Sequence, residues 1–339
     1  MIDMPRAGLA SLFLGLCLAA AAQEAIPWQD PSPHTTKLIE VDHGISLEVL
    51  EWGRTGRSVV LLAGLGDTAH VYDDFAPRLA RKYHIYAVTR RGFSPSSVPA
   101  SGYDFARLAE DIVRVVGILN LARPVIAGHS FAGEEMHVLG ARYPERIAGL
   151  VYIDAAFNRA GRSADFDAAA RKLPPAPEPQ SSDTKSISAL RMFLRRNGLP
   201  VPPEAEMRAR YEINAAGNVG ARRAPPAEVR KTVIAALQQT AISYAPSPIR
   251  VPALALYAVP KSGNDLMRPW YPSGDPQTKE NVTQLYQQAR ASFLRHARWF
   301  DEFSKGSRVV EISGDHHLFL TNPTDVLDQI DAFVSAAPR

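Results

Sequence analysis

The sequence predicts an α/β protein with a doubly wound, mostly parallel sheet, and three observations carry that prediction. Short apolar runs alternate with longer amphipathic stretches along most of the chain. One run, residues 58–63 (SVVLLA), is almost continuously apolar, as a strand buried on both faces must be. The 339 residues are 46% hydrophobic and 22% charged, enough to bury a large core without covalent staples and too apolar for general disorder. The formal net charge of +3 is too small to argue nucleic-acid binding.

The chain opens with an uncharged stretch, AGLASLFLGLCLAAAA, that follows Arg6 and ends at Ala22. A basic start, a short apolar run and a small-residue exit read as a signal peptide over residues 1–22, cleaved near Ala22. A secreted or periplasmic protein is expected, with no stable membrane span, because the run is shorter than the ~20 apolar residues that cross a bilayer comfortably. The single cysteine, Cys17, lies in this leader, and Leu16 stands where a lipoprotein site needs a small residue. A disulfide framework and a thiolate zinc site are both excluded.

The regular elements follow in order. Residues 37–41 and 45–51 read as two strands joined by a turn at His43-Gly44. The strand 58–63 comes next, then a helix at 75–82 and a strand at 84–89. Residues 105–119 place Leu108, Ile112, Val115, Val116 and Leu119 at helical spacing. A short strand at 124–127, a helix at 131–143 and a strand at 150–153 complete the first half. Strands at 253–259 and 308–312 and helices at 280–303 and 323–335 resume the alternation.

Residues 158–247 interrupt it. They hold ten of the 27 prolines and show no run that reads as a buried strand. Helices are expected at 188–197, 204–212 and 227–240, with a loose loop around 172–185. The stretch carries 14 Lys or Arg against 8 Asp or Glu, a net of +6, while the remaining 24 against 27 net −3. It reads as a helical insertion on a core formed by 23–157 and 248–339.

One motif carries chemistry. The strand at 124–127 runs into Gly128-His129-Ser130-Phe131-Ala132-Gly133, with a helix after it. A serine on a tight strand-to-helix turn projects its hydroxyl above the sheet, and Gly128 and Ala132 must be small for strand and helix to approach. A serine needs a base. His316 and His317 follow the strand at 308–312, where a loop at the carboxyl end of the sheet would deliver an imidazole.

On these residues the chain beyond the leader resembles the α/β-hydrolase superfamily, whose fold has a lid inserted over the site. Counting back from Pro323 in the family's pattern selects His316 over His317, which is then a gate or surface residue; Asp315 stands where a glycine is usual. The resemblance offers two slots for the acid of a Ser-His-Asp triad. Asp154 fills the one after the strand at 150–153 and is preferred. The other slot, after the strand at 253–259, holds Lys261, with Asp265 four residues on as the alternative. The oxyanion hole is expected from the backbone N–H groups of Phe131 and of Leu65 in Ala63-Gly64-Leu65-Gly66-Asp67-Thr68. Phosphate binding by Gly64-x-Gly66 is weak, since a third glycine and a following lysine are missing.

The expected protein is a serine hydrolase that cleaves a carboxylic ester or lactone through an acyl-enzyme on Ser130. Hydrolysis of an amide or carbon–carbon bond, or a non-catalytic ligand-binding member, is the alternative. Epoxide and haloalkane chemistry in this family uses an Asp at the elbow, so Ser130 argues against it. The partner is a small acyl substrate, and the sequence carries no signal of oligomeric state. Arg90 and Arg91 read as solvated, and Glu134 and Glu135 as exposed or structural. Met192 and Met207 read as packing residues, and His137 and His296 as helix-face residues. Leu190, Phe193, Leu194, Tyr211, Ile213 and Tyr244 could roof a pocket. No local spacing of His and acids suggests a metal, and no cofactor is expected.

Overall fold

The computed structural model describes residues 28–157, 164–223, 226–243, 248–304 and 306–338. The chain divides into two compact units, Met1–Pro31 and Ser32–Arg339. The expected leader over residues 1–22 lies outside the described residues. Among those described, no helix is long and apolar enough to cross a membrane.

The second unit is built on eight strands: β1 (Thr35–Asp42), β2 (Ile45–Trp52), β3 (Ser58–Leu62), β4 (His84–Val88), β5 (Val125–His129), β6 (Gly149–Ile153), β9 (Ala253–Ala258) and β10 (Arg308–Ile312). Their order across the sheet is β1-β2-β4-β3-β5-β6-β9-β10. β2 runs antiparallel to β1 and β4, and every other neighbouring pair is parallel. The apolar strands β5 and β6 are buried along their whole length because helices cover both faces.

Alternate side chains of each strand feed two core layers. Val60 and Leu62 point to the layer that holds α2 (Phe105–Ile118), α3 (Ala132–Arg142) and α8 (Pro276–Phe303). Val59 and Leu61 point to the layer that holds α1 (Ala76–Leu79), α9 (Leu318–Thr321) and α10 (Pro323–Ala336). α8 starts at Pro276, ahead of the expected 280, because Asp275 caps the N–H groups of Gln277 and Thr278. The helix expected over 75–82 is only four residues long, because Lys82 and Tyr83 both close onto the Leu79 carbonyl before β4 begins.

After β4 the chain crosses to the other side of β3 to form β5. That reversal opens a crevice at the carboxyl ends of β3 and β5, where ligands bind in such sheets. The loops after these two strands meet there.

The stretch between β6 and β9 holds α4 (Ala164–Ala170), α5 (Ile187–Arg196), α6 (Glu204–Arg210), α7 (Ala227–Ser243) and a hairpin of β7 (Tyr211–Ile213) with β8 (Val219–Arg222). The hairpin corrects the purely helical expectation. Its short strands are largely exposed, so they lack the apolar run that marks a buried strand. Leu190, Phe193, Leu194, Tyr211 and Ile213 pack with Met207 and Val219 in a small core of their own, while Met192 is exposed. Tyr244 lies outside the described residues. Val229 and Val233 of α7 pack on Tyr103, Phe105, Leu108 and Phe131.

Candidate active site

The turn between β5 and α3 is shaped by small residues. A Cβ on Gly128 would lie 2.4 Å from the Met136 sulfur and 2.8 Å from the Ala132 Cβ, so only glycine permits this approach of strand and helix. Ser130 is then forced into the left-handed region, with φ of 53°. A non-glycine residue held there stores strain that the surrounding packing must overdetermine. Its N–H reaches the Ile153 carbonyl at 3.4 Å, and its own carbonyl accepts from Gly133 at 3.0 Å.

Ser130 Oγ lies 2.8 Å from His316 Nε2, and His316 Nδ1 lies 2.6 Å from Asp154 Oδ2. Asp154 is itself clamped. It has φ of 47°, its N–H donates to the Leu256 carbonyl at 2.7 Å, and its Oδ1 accepts from the Ala258 N–H at 2.9 Å. The carboxylate is thus locked across the ends of β6 and β9, with one oxygen left for the imidazole. Asp154 is buried while His316 is exposed, so the carboxyl group sits below and the imidazole faces outward. Asp265 is not brought to this group. It accepts from the Lys261 and Ser262 N–H groups and closes a local capping box.

Leu65 is exposed in the loop after β3, and Phe131 is buried directly after Ser130. Gly64 to Asp67 forms a tight turn, with the Asp67 N–H on the Gly64 carbonyl at 3.3 Å and Gly66 at φ of 83°. Phe131 sits at the start of α3, where the N–H groups have no carbonyl partner within the helix.

Arg90 and Arg91 overturn the expectation that they are solvated. Both are buried because α2 and α3 bring a carboxylate to each. Arg91 forms a two-pronged pair with Asp111 at 2.6 and 2.7 Å. Arg90 pairs with Glu135, donates to the Ala63 carbonyl at 2.9 Å, and lies over the Phe131 ring at 4.7 Å. It therefore ties the turn at Gly64 to the start of α3. Burial pushes the Glu135 carboxyl up to about 7, against the pull of the Arg90 guanidinium. Glu134 is also buried.

Two residues of α6, which sequence reasoning missed, hold the other end of this turn. Glu206 is fully buried and accepts from the Thr68 N–H at 3.2 Å and from its hydroxyl at 2.5 Å. Arg210 donates to Asp67 Oδ1 at 2.7 Å. Burial pushes the Glu206 carboxyl up, and the neighbouring Asp67 charge adds to it. Burial opposes ionisation of Asp67 too, but His317 and Arg210 outweigh it and hold that carboxyl below its ordinary range. Their only sequence signal was charge on a short helix in a proline-rich stretch.

His317 is partly exposed, and its Nε2 lies 3.3 Å from Asp67 Oδ2. Asp315, in the slot usually held by glycine, pairs with Arg268. His137 and His296 are buried against aromatic rings, as expected of helix faces.

The profile of the alpha/beta hydrolase family matches residues 59–329. The chain is 30% identical over 115 residues to the 2-(acetamidomethylene)succinate hydrolase of Mesorhizobium japonicum, covering 34% of this chain and 41% of that protein. It is 32% identical over 106 residues to a serine hydrolase-like protein of Danio rerio, covering 30% of this chain and 32% of that protein. These matches thus span well under half the length of either relative. Among solved structures, that of E-2-(acetamidomethylene)succinate hydrolase aligns with a TM-score of 0.62 at 19% identity, covering 89% of this chain and 100% of the other. This last likeness is one of fold.

Proposed function

The chain belongs to the alpha/beta hydrolase family, and we propose that within it the chain is a serine hydrolase that cleaves a carboxylic ester or lactone through an acyl-enzyme on Ser130. The observation that carries this reading is the unbroken run of hydrogen bonds from Ser130 through His316 to Asp154.

In the first half of the reaction, Ser130 Oγ attacks the carbonyl carbon and its proton passes to His316 Nε2. Asp154 accepts from His316 Nδ1, which fixes the tautomer and stabilises the imidazolium. The N–H groups of Leu65 and Phe131 receive the developing oxyanion. His316 then returns its proton to the departing alkoxide, leaving the acyl group on Ser130. In the second half, water gives a proton to His316 and attacks the acyl carbon, and Ser130 Oγ leaves with that proton.

Residues 158–247 act as a lid in this proposal. Its support is their place between β6 and β9 and the contact of α6 with the turn at Gly64. Export to the periplasm or the medium, with cleavage near Ala22, rests on the leader sequence alone. Likeness to 2-(acetamidomethylene)succinate hydrolase favours an amide as the second substrate class.

A fluorophosphonate probe should label the full chain once, at Ser130. Labelling should vanish in Ser130→Ala and fall in His316→Ala. A panel of acyl esters, lactones and amides should then rank the substrates. Turnover that survives in Ser130→Ala, or no labelling of the wild type, overturns the reading.

A further inference from the structure

We propose that Asp67, His129 and His317 form a binding site for a zinc-like divalent cation beneath the turn at Gly64. The sequence suggested no metal, because these residues lie far apart in the chain: Asp67 after β3, His129 at the end of β5 and His317 after β10. The fold brings them together: one ligand atom from each lies within 4.8 Å of the others. His317 Nε2 and Asp67 Oδ2 are already 3.3 Å apart, a spacing compatible with two bonds of about 2.0–2.2 Å to one zinc ion.

His129 carries the argument. Its Nε2 lies 3.0 Å from the His316 carbonyl, so that nitrogen bears the proton and donates. Its Nδ1 therefore holds a lone pair. The ring is 1% exposed and Nδ1 has no hydrogen-bond partner among the described residues. A metal-bound imidazole is held in this way, with its far N–H on a carbonyl and its near nitrogen aimed at the ion.

The space is there as well. A Cβ at position 64 would lie 2.7 Å from His129 Nδ1 and 3.2 Å from Asp67 Oδ2, so both atoms face the hollow that Gly64 leaves open. Arg210 occupies only Oδ1 of Asp67, so Oδ2 remains for the ion. The His317 side chain is 28% exposed and gives a route from solvent.

The donor set selects the ion. Two imidazoles and one carboxylate, with a fourth position for water, suit zinc, whereas magnesium and calcium want oxygen ligands. Binding would replace the His317–Asp67 hydrogen bond by two metal bonds, with the His317 proton moved to Nδ1 or released. The ion would then tie the turn after β3 to the end of β5 and to the loop that carries His316.

The test uses the full chain, stripped with a chelator and titrated with Zn2+ by calorimetry, with bound metal counted by elemental analysis. We expect one zinc per chain, and Co2+ should give the visible absorption of a tetrahedral site. Asp67→Asn and His317→Gln should each weaken zinc binding at least about 100-fold and abolish the cobalt bands. His317 is partly exposed, so its variant should fold even where Asp67→Asn does not. Ser130→Ala and His316→Gln should bind zinc as the wild type does, which separates this site from the triad and its fate from that of the proposed activity. No stoichiometric zinc in the wild type, full affinity in His317→Gln, or loss of zinc in His316→Gln overturns the proposal.

Discussion

The turn that carries Ser130 and the turn that faces it across the crevice are held in opposite ways. The first is supported mostly from within: Gly128, Ala132 and Met136 interlock, and β5 and α3 leave Ser130 one conformation. The second is a short glycine turn with little packing of its own. It is gripped from outside by Arg90 below, by Glu206 and Arg210 of α6, and by His317. The difference teaches that the position of Ser130 is a property of local sequence, whereas the turn facing it is held in place by remote charges.

The largest effect should come from the acid that orients the imidazole. Asp154→Asn should lower kcat by about 10³- to 10⁴-fold on the best substrate of the panel, by analogy with other triads. Asp265→Asn should change it by less than about twofold, since its carboxylate serves only a local cap. Equal losses in steady-state assays would mean that the hydrogen bond from His316 to Asp154 does not carry the reaction.

Next comes the self-contained turn. Gly128→Val puts atoms where Met136 and Ala132 already stand, and should destabilise the protein by about 3 kcal/mol in denaturant unfolding. Unchanged stability would show that the turn yields more readily than its packing implies.

The externally held turn should respond in rate more than in fold. Glu206→Ala leaves the buried Thr68 N–H and hydroxyl without their acceptor. We expect kcat to fall about tenfold, with probe labelling still stoichiometric and a stability loss of about 1–2 kcal/mol. A rise in KM alone would place Glu206 in substrate binding instead.

The last effect is a pH dependence at His70, just after this turn. Burial pulls its imidazole down, but Asp73 and Glu48 outweigh burial and lift it from 6.5 to about 10. A histidine lifted in the fold stabilises fully below its unfolded pKa of 6.5 and loses that contribution as pH rises through about 10. The stability gap between wild type and His70→Gln should be widest, about 2 kcal/mol, near pH 6. It should close by about pH 10–11 in denaturation curves taken across that range. A gap that does not change with pH would separate His70 from its two acids.

How much of the site was legible follows the same division. Gly128-His129-Ser130-Phe131-Ala132 announced itself because a strand, a tight turn and a helix are all local patterns. The choice between Asp154 and Asp265 was open because both follow parallel strands, and neither spacing measures a distance to His316 across the sheet. Arg90 and Arg91 read as surface cations because a charge declares nothing about its burial until Glu135 and Asp111 arrive from other elements. Tyr211 to Arg222 lost its hairpin for a related reason, since strands that bury little show little pattern.

By itself, then, the sequence determined the alternation of buried strands and amphipathic helices, the sheet class, and the serine on its strained turn. These depend on periodicity and on the sizes of adjacent residues, which are short-range quantities. Only the tertiary structure decided which acid faces His316, which charges are buried as pairs, and how Asp67, His129 and His317 come within 4.8 Å of one another. Those outcomes are set by distances between residues far apart in the chain, which only the packing of the sheet and its insertion establishes.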